Sequence, residues 1–240
     1  MYSIAFRVRT DEVLDLPPTM DQVVPVTMSP KARKIYDELE EEFVTALEGD
    51  IETGKVVTAS NSLVKLLRLQ QITGGWLIPD GHTTAMQIDK GKVNALSDLL
   101  EDMGDEPVVI FCRFTADLGA VREVCSKLGL SYGEISGKAD DLAAFQGGER
   151  QVLGCQIRSG SMGIDLTRSR YTVYYSNTYS LGDYEQSRAR VHRPGQTRPV
   201  TYYHLLAKGT VDESIFKSLQ AKAELVDLVV DIMRKRGRNV

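Results

Sequence analysis

Cysteine is scarce in this sequence. Cys112, Cys125 and Cys155 are the only three in 240 residues, with no Cys-x-x-Cys pair and no clustered histidine, which argues against a disulfide framework and a zinc site. Each sits in an apolar segment and reads as a small buried side chain. Long hydrophobic runs are missing too, since none approaches the roughly 18–20 residues that cross a bilayer. The leading MYSIAFRVRTDEVLD has neither the apolar core nor the cleavage site of a signal peptide. The expectation is a cytoplasmic chain with no membrane partner. Tryptophan occurs once, as Trp76 in TGGWLIP, where it reads as a loop anchor rather than a base-stacking platform.

What is present is an ordinary globular composition, 42% hydrophobic and 26% charged with a net charge of −4. At roughly 100–200 residues per domain, the chain is one large domain or two small ones, too little for two full nucleotide-binding lobes of about 150–200 residues each. The charge is unevenly spread. Twelve acidic residues meet three basic ones between Asp11 and Glu52, whereas eight arginines and three acids lie between Arg150 and Val200. A basic segment made of arginine alone suits phosphate or carboxylate recognition, with solvated faces of opposite sign as the plain alternative.

The chain changes rhythm near residue 104. Residues 1–103 read as a strand, VVPVTM, and helices: one entered through Ser29-Pro30 and stopped at Gly49, one from about Ser60 to Gln71, one starting near Lys90. This part is expected to pack on a second unit, 104–240, in which strands and helices alternate. The predicted strands are PVVIFC, LSYGEISG, RQVLGCQI, YTVYYS and PVTYYHLLA; the helices run through TADLGAVREVCSKLG, about Ala139–Phe145, about Leu181–His192 and about Val211–Arg236. Alternation with short loops implies right-handed crossovers and an α/β, doubly wound parallel sheet, with ligands at the carboxyl ends of its strands.

Two segments carry chemistry. In YEQSRARVHRPGQ, a helix over 181–192 would project Gln186, Arg190 and Arg193 from one side of its last turns, because positions three and four apart share a face. Arg190 and Arg193 are then placed to neutralise charge on a transferring phosphoryl group. The alternative is a surface helix whose arginines pair with Asp183 and Glu185. In IRSGSMGIDLT, Gly160 and Gly163 follow a buried strand and allow close backbone approach to a phosphate. Asp165 suits a ribose hydroxyl, and Arg158 a nucleic-acid backbone.

The order of these segments resembles the second, RecA-like lobe of superfamily-two helicases, specifically the Swi/Snf-type DNA translocases with their bacterial and phage relatives. PVVIFCRFTADL is similar to motif IV, GCQIRSGSMGIDLT to motif V, and QSRARVHRPGQ to motif VI, whose family form is Gln-x-x-x-Arg-x-x-Arg-x-Gly-Gln. DEVLDLPP, MSPKARKIYDEL, LQQITGGWL and VTYYHLLAKGTVDESIF follow the family's order as well. The resemblance implies ATP contacted by Gly163, Asp165 and Gln186, with Arg190 and Arg193 as arginine fingers. It implies sequence-independent DNA phosphate contacts from Arg113, Thr115, Gly137, Lys138, Arg158, Ser159 and Gly160. Arg113 paired to Asp117, or Lys138 as a free helix-end residue, are the structural alternatives for two of these. ATP and Mg²⁺ would be held mainly by a first lobe, in cis or in trans, in a bacterial or phage-infected cell.

That partner is implied because its motifs are absent. No G-x-x-x-x-G-K-[ST] occurs: Gly54-Lys55 is followed by valine and preceded by no buried strand. The four Asp-Glu pairs continue as DEVL, DELE, DEPV and DESI, none of them an Asp-Glu-x-His box. The chain is therefore expected to be half of a DNA-dependent ATPase, inactive alone. A non-catalytic DNA- or protein-binding module that keeps a helicase-like lobe is the alternative.

Overall fold

The computed structural model of the protein describes residues 16–52, 59–79, 84–158 and 163–222. Its centre is a six-stranded sheet of β1 (Thr19–Val26), β4 (Val108–Cys112), β5 (Tyr132–Ile135), β6 (Val152–Gln156), β7 (Tyr171–Tyr174) and β8 (Val200–Ala207). Their order is β1-β8-β7-β4-β6-β5, and every pairing is parallel. A two-stranded antiparallel ribbon, β2 (Trp76–Leu77) with β3 (Met86–Gln87), lies apart from it. The helices are α1 (Pro30–Glu52), α2 (Ala59–Thr73), α3 (Gly91–Met103), α4 (Thr115–Leu128), α5 (Leu142–Gln146), α6 (Leu181–Val191) and α7 (Val211–Gln220).

The sheet is wound on both faces. All five residues of β4 are buried, as the continuous run VVIFC requires of a strand covered twice. Val109 and Phe111 join one core with Tyr36 and Phe43 of α1, Leu66 and Leu69 of α2, Tyr184 of α6 and Ile215 of α7. Val108, Ile110 and Cys112 point to the other, filled by Leu96 and Leu100 of α3 and Leu118, Val121 and Cys125 of α4. This is the expected doubly wound, RecA-like α/β fold. All three cysteines are free and buried.

Four boundaries differ from the sequence reading. α1 continues through Gly49 to Glu52, because a single glycine costs only about 1 kcal/mol in a helix whose apolar face is already packed. The helix after β5 is shorter and later than expected, Leu142–Gln146, since Ser136–Asp141 is taken up by turns in which Asp141 accepts from Glu134 N at 2.9 Å. The last helix ends at Gln220, with Ala221 as its cap and Lys222 at φ +53°, so the predicted Val211–Arg236 span stops short there; residues 223–236 and the basic 234–238 segment lie outside the described residues. The strand predicted as VVPVTM begins earlier, at Thr19, and forms the sheet's edge beside β8. Gly74-Gly75 ends α2 as expected. Gly75 has φ +93°, and a Cβ there would lie 2.5 Å from the Asp89 carbonyl oxygen, so glycine is required by both backbone and space.

Candidate functional site

Because every strand is parallel, the segments that leave β4, β5, β6 and β7 emerge on one edge of the sheet. Arg113 and Thr115 follow β4, Gly137 and Lys138 follow β5, Arg158 follows β6, and Ser176–Thr178 follow β7. Thr115, Gly137, Lys138 and Arg158 are exposed. Ser159 and Gly160 lie outside the described residues.

Arg113 is different. Its side chain turns back along the edge, donating from Nη1 to Thr178 Oγ1 at 3.2 Å and lying over the Tyr179 ring at 4.5 Å. Burial holds its pKa below the usual arginine range. It does not pair with Asp117. Asp117 instead sits at the third residue of α4, fully buried, accepting from Ser176 Oγ at 2.6 Å and from Phe114 N at 3.3 Å. Ser176 Oγ accepts in turn from Arg113 N at 2.8 Å. The carboxylate therefore organises the turn from which Arg113 and Thr115 project.

Burial pushes the Asp117 carboxyl up to about 6, against the opposing pull of the Ser176 hydroxyl and the Lys92 charge. A carboxyl whose folded pKa is raised binds its proton more tightly in the native state, so its contribution is favourable below the unfolded value and is lost as pH rises through about 6. Buried His204 acts oppositely: desolvation lowers its pKa, so its contribution falls as pH drops below the ordinary histidine value. The two are separated by Asp117→Asn. The variant's stability relative to the parent should rise between pH 5 and pH 7, by the order of 1–3 kcal/mol, when melting is followed across that range. A constant difference would contradict the assignment.

The second cluster joins the 163–169 loop to the end of α6. Gly163 is exposed with φ +55°, and nothing lies within 4 Å of where a Cβ would stand. Asp165 Oδ1 accepts from Thr167 N at 2.9 Å and Thr167 Oγ1 at 2.7 Å. Its carboxyl is held below the usual range: partial burial opposes the shift, while the two Thr167 hydrogen bonds and the Arg193 charge outweigh it. Leu166 N donates to Arg190 O at 2.9 Å, and Arg193 Nη1 donates to Ile164 O at 3.4 Å. Gly163, Asp165, Arg190 and Arg193 are thus brought to one place. Gln186 is exposed, one turn before Arg190 on α6.

Arg193 does not ride on the helix, as the sequence reading had it. α6 ends at Val191, and His192, at φ −100° and ψ 87°, leaves helical geometry, because the Pro194-Gly195 turn cannot continue a helix. Gly195 has φ +106°, and Gln196 beyond it is a structural residue that motif matching left without a role. Its Nε2 donates to Ser169 O at 2.9 Å and Thr167 O at 3.1 Å, and its Oε1 accepts from Thr197 N and Arg198 N, each at 3.1 Å. A buried carboxamide thereby staples the two segments together.

The arginines of residues 150–200 do not all face this edge. Arg170 and Arg198 share the Glu106 carboxylate at 3.0 Å each, at the opposite, amino ends of β7, β8 and β4. Arg168 donates to Arg150 O at 2.8 Å and covers Phe145. Arg188 pairs with Asp21 rather than Asp183 or Glu185, and Glu185 meets Lys222 at 3.1 Å. The arginines between Arg150 and Val200 therefore form no single phosphate-facing surface: parallel strands send guanidiniums that are close in sequence to both ends of the sheet. Among the described residues, no three His, Cys, Asp or Glu side chains gather as a metal site, and no helix is long and apolar enough to cross a membrane.

Comparison with known proteins agrees with this architecture. Residues 91–195 match the helicase conserved C-terminal domain. Protein p41 of Acyrthosiphon pisum secondary endosymbiont phage 1 is 24% identical over 92% of this chain and 48% of its own length. The chromatin-remodelling ATPase INO80 of Drosophila melanogaster is 30% identical over 65% of this chain and 10% of its own length. The chain therefore spans about half, or much less, of these relatives. Among solved structures, the C-terminal part of the Fun30 ATPase domain superposes with a TM-score of 0.68 at 18% identity, covering 93% of this chain and 99% of that one. The Sulfolobus solfataricus SWI2/SNF2 ATPase core in complex with double-stranded DNA gives 0.64 at 23% identity, covering 86% of this chain and 44% of that one.

Proposed function

We propose that this chain, whose residues 91–195 match the helicase conserved C-terminal domain, is a helicase C-terminal lobe of the Swi/Snf type within superfamily two and the second half of an ATP-dependent DNA translocase. The observation that carries the reading is the meeting of Gly163, Asp165, Arg190 and Arg193, which share no strand or helix and are joined by the Leu166–Arg190 and Arg193–Ile164 hydrogen bonds. An open glycine backbone, a carboxylate and two guanidiniums are the donors and acceptors that a nucleoside triphosphate needs at its sugar and phosphates. A glycine backbone N–H and guanidiniums do not ligate magnesium, and the Asp165 carboxylate is engaged by Thr167 N and Oγ1. Mg²⁺ and the grip on the phosphates are assigned to a first lobe, and when bound the ion neutralises charge on the transferring phosphoryl group.

In this reading, Gly163 offers backbone to the nucleotide and Asp165 orients the ribose. Gln186 reaches the cleft from the exposed side of α6. Arg190 and Arg193 stabilise the transition-state charge once the lobes close. The strand-end residues Thr115, Gly137, Lys138 and Arg158 hold DNA phosphates, as Ser159 and Gly160 would. Arg113, already engaged with Thr178, takes part by shaping that edge.

Phosphate contacts make a quantitative prediction. Binding of the chain to mixed-sequence duplex DNA should weaken steeply with salt, independently of sequence, and Lys138→Ala and Arg158→Ala should each reduce the slope of log K against log[salt] by about 1. Fluorescence anisotropy across a salt series reads this directly. Unchanged slopes in both variants would remove DNA from the proposal.

A further inference from the structure

The segment that enters the sheet is fastened to α6 at two points, on either side of Arg190. Asp21, the third residue of β1, receives a forked pair from Arg188: Nη1 to Oδ1 at 2.5 Å and Nη2 to Oδ2 at 3.1 Å. Four residues earlier, the Pro17 carbonyl meets His192 Nε2 at 2.7 Å. The first contact is built with care. The Arg188 guanidinium lies 3.8 Å from the centre of the Tyr202 ring and also donates to Tyr184 Oη at 3.0 Å, while His204 Nε2 meets Asp21 Oδ1 at 3.0 Å. Tyr202 Oη donates to the Arg188 carbonyl at 3.2 Å. Arg188 and Asp21 side chains are only 21% and 27% exposed, and the fork fixes direction as well as distance.

Position gives these contacts a consequence. Arg188 and His192 lie two residues before and two after Arg190, and Arg193 follows His192 directly. On its other side, the Arg190 carbonyl takes Leu166 N. The helix end is therefore held from the leading segment by Asp21 and Pro17 and from the nucleotide-side loop by Leu166. We propose that the Pro17–Asp21 segment is a positioning strut for Arg190 and Arg193, with Asp21 acting through Arg188 and the Pro17 carbonyl through His192. This rests on the arginine-finger reading. None of the strut residues touches nucleotide; they fix where the fingers stand, and a misplacement of about 1 Å can lower a rate 10²-fold.

The test uses Asp21→Asn, which keeps the side-chain shape, Arg188→Gln, which keeps the aliphatic stem but removes the guanidinium that makes the fork, and the double variant. DNA-stimulated ATP turnover is measured with the first lobe supplied, well below the melting temperature. Each single variant should lower kcat about 10- to 100-fold with KM for ATP within about twofold, and the double should be no worse than either. In the isolated chain, amide exchange at residues 190–193 should quicken while β4 and β6 stay protected. A kcat within twofold of the parent, or unchanged exchange at 190–193, overturns the strut. Arg193→Ala in the same assay separates the premise: if it abolishes turnover while Asp21→Asn does not lower kcat, the strut alone fails, and if Arg193→Ala is fully active, the finger reading fails.

Discussion

Arg193→Ala is expected to abolish ATP turnover by the chain acting with its first lobe, lowering kcat by about 10³-fold or more, while leaving its fold and DNA binding unchanged. The asymmetry follows from where the side chain stands. Arg193 is half-exposed beyond the end of α6, and its hydrogen bond to Ile164 O is long, at 3.4 Å, so the native state gains little from it. Charge developing on a phosphoryl group in a closed, water-poor cleft would gain far more. Arg190→Ala should behave similarly, since the carbonyl that accepts from Leu166 N survives the substitution. Steady-state kinetics beside a melting curve separates lost chemistry from lost structure, and unchanged kcat in both variants would sink the finger assignment.

The second large effect is on stability. Lys92, 2% exposed, donates from Nζ to Asp212 Oδ2 at 2.7 Å and to Tyr175 O at 2.9 Å. Asp212 in turn accepts from Thr73 Oγ1 at 2.9 Å and Ala207 N at 3.2 Å. One buried pair thus ties α2, α3, the end of β7 and the start of α7. Lys92→Met strands the carboxylate without its cation, which is expected to cost about 3–5 kcal/mol, or roughly 10 °C of melting temperature at about 2–4 °C per kcal/mol for a chain of this size. Adding Asp212→Asn should return part of that loss, because the charge disappears while the carboxamide oxygen still accepts from Thr73. A single variant that melts within 2 or 3 °C of the parent would show that the pair does not anchor these elements.

These contacts mark what was legible in the sequence. The strand VVIFC, the alternation after residue 104 and the Gln186–Gln196 spacing were readable because they are local: a strand buried on both faces needs a continuous apolar run, and a motif is fixed by short intervals. Asp21 with Arg188, 167 residues apart, was not. Nothing near Arg188 marks it out from Arg190, and its natural partner by helical spacing, Glu185, pairs with Lys222 instead. Lys92 reads as a charged residue in the first turn of an amphipathic helix, and only the tertiary fold turns it inward. Gln196 was matched by pattern, yet the pattern could not say that its carboxamide points into the protein. Arg113 lies in a matched segment, and the pattern likewise could not say that its side chain engages Thr178 and Tyr179.

The most direct test of the account is to combine this chain with a Swi/Snf-type first lobe that carries the phosphate loop and the Asp-Glu-x-His box, and to measure ATP hydrolysis with and without duplex DNA. The account predicts turnover that neither polypeptide has alone, stimulated by DNA. No hydrolysis above that of the first lobe alone, with DNA binding by the chain intact, would contradict it and make this lobe a binding module.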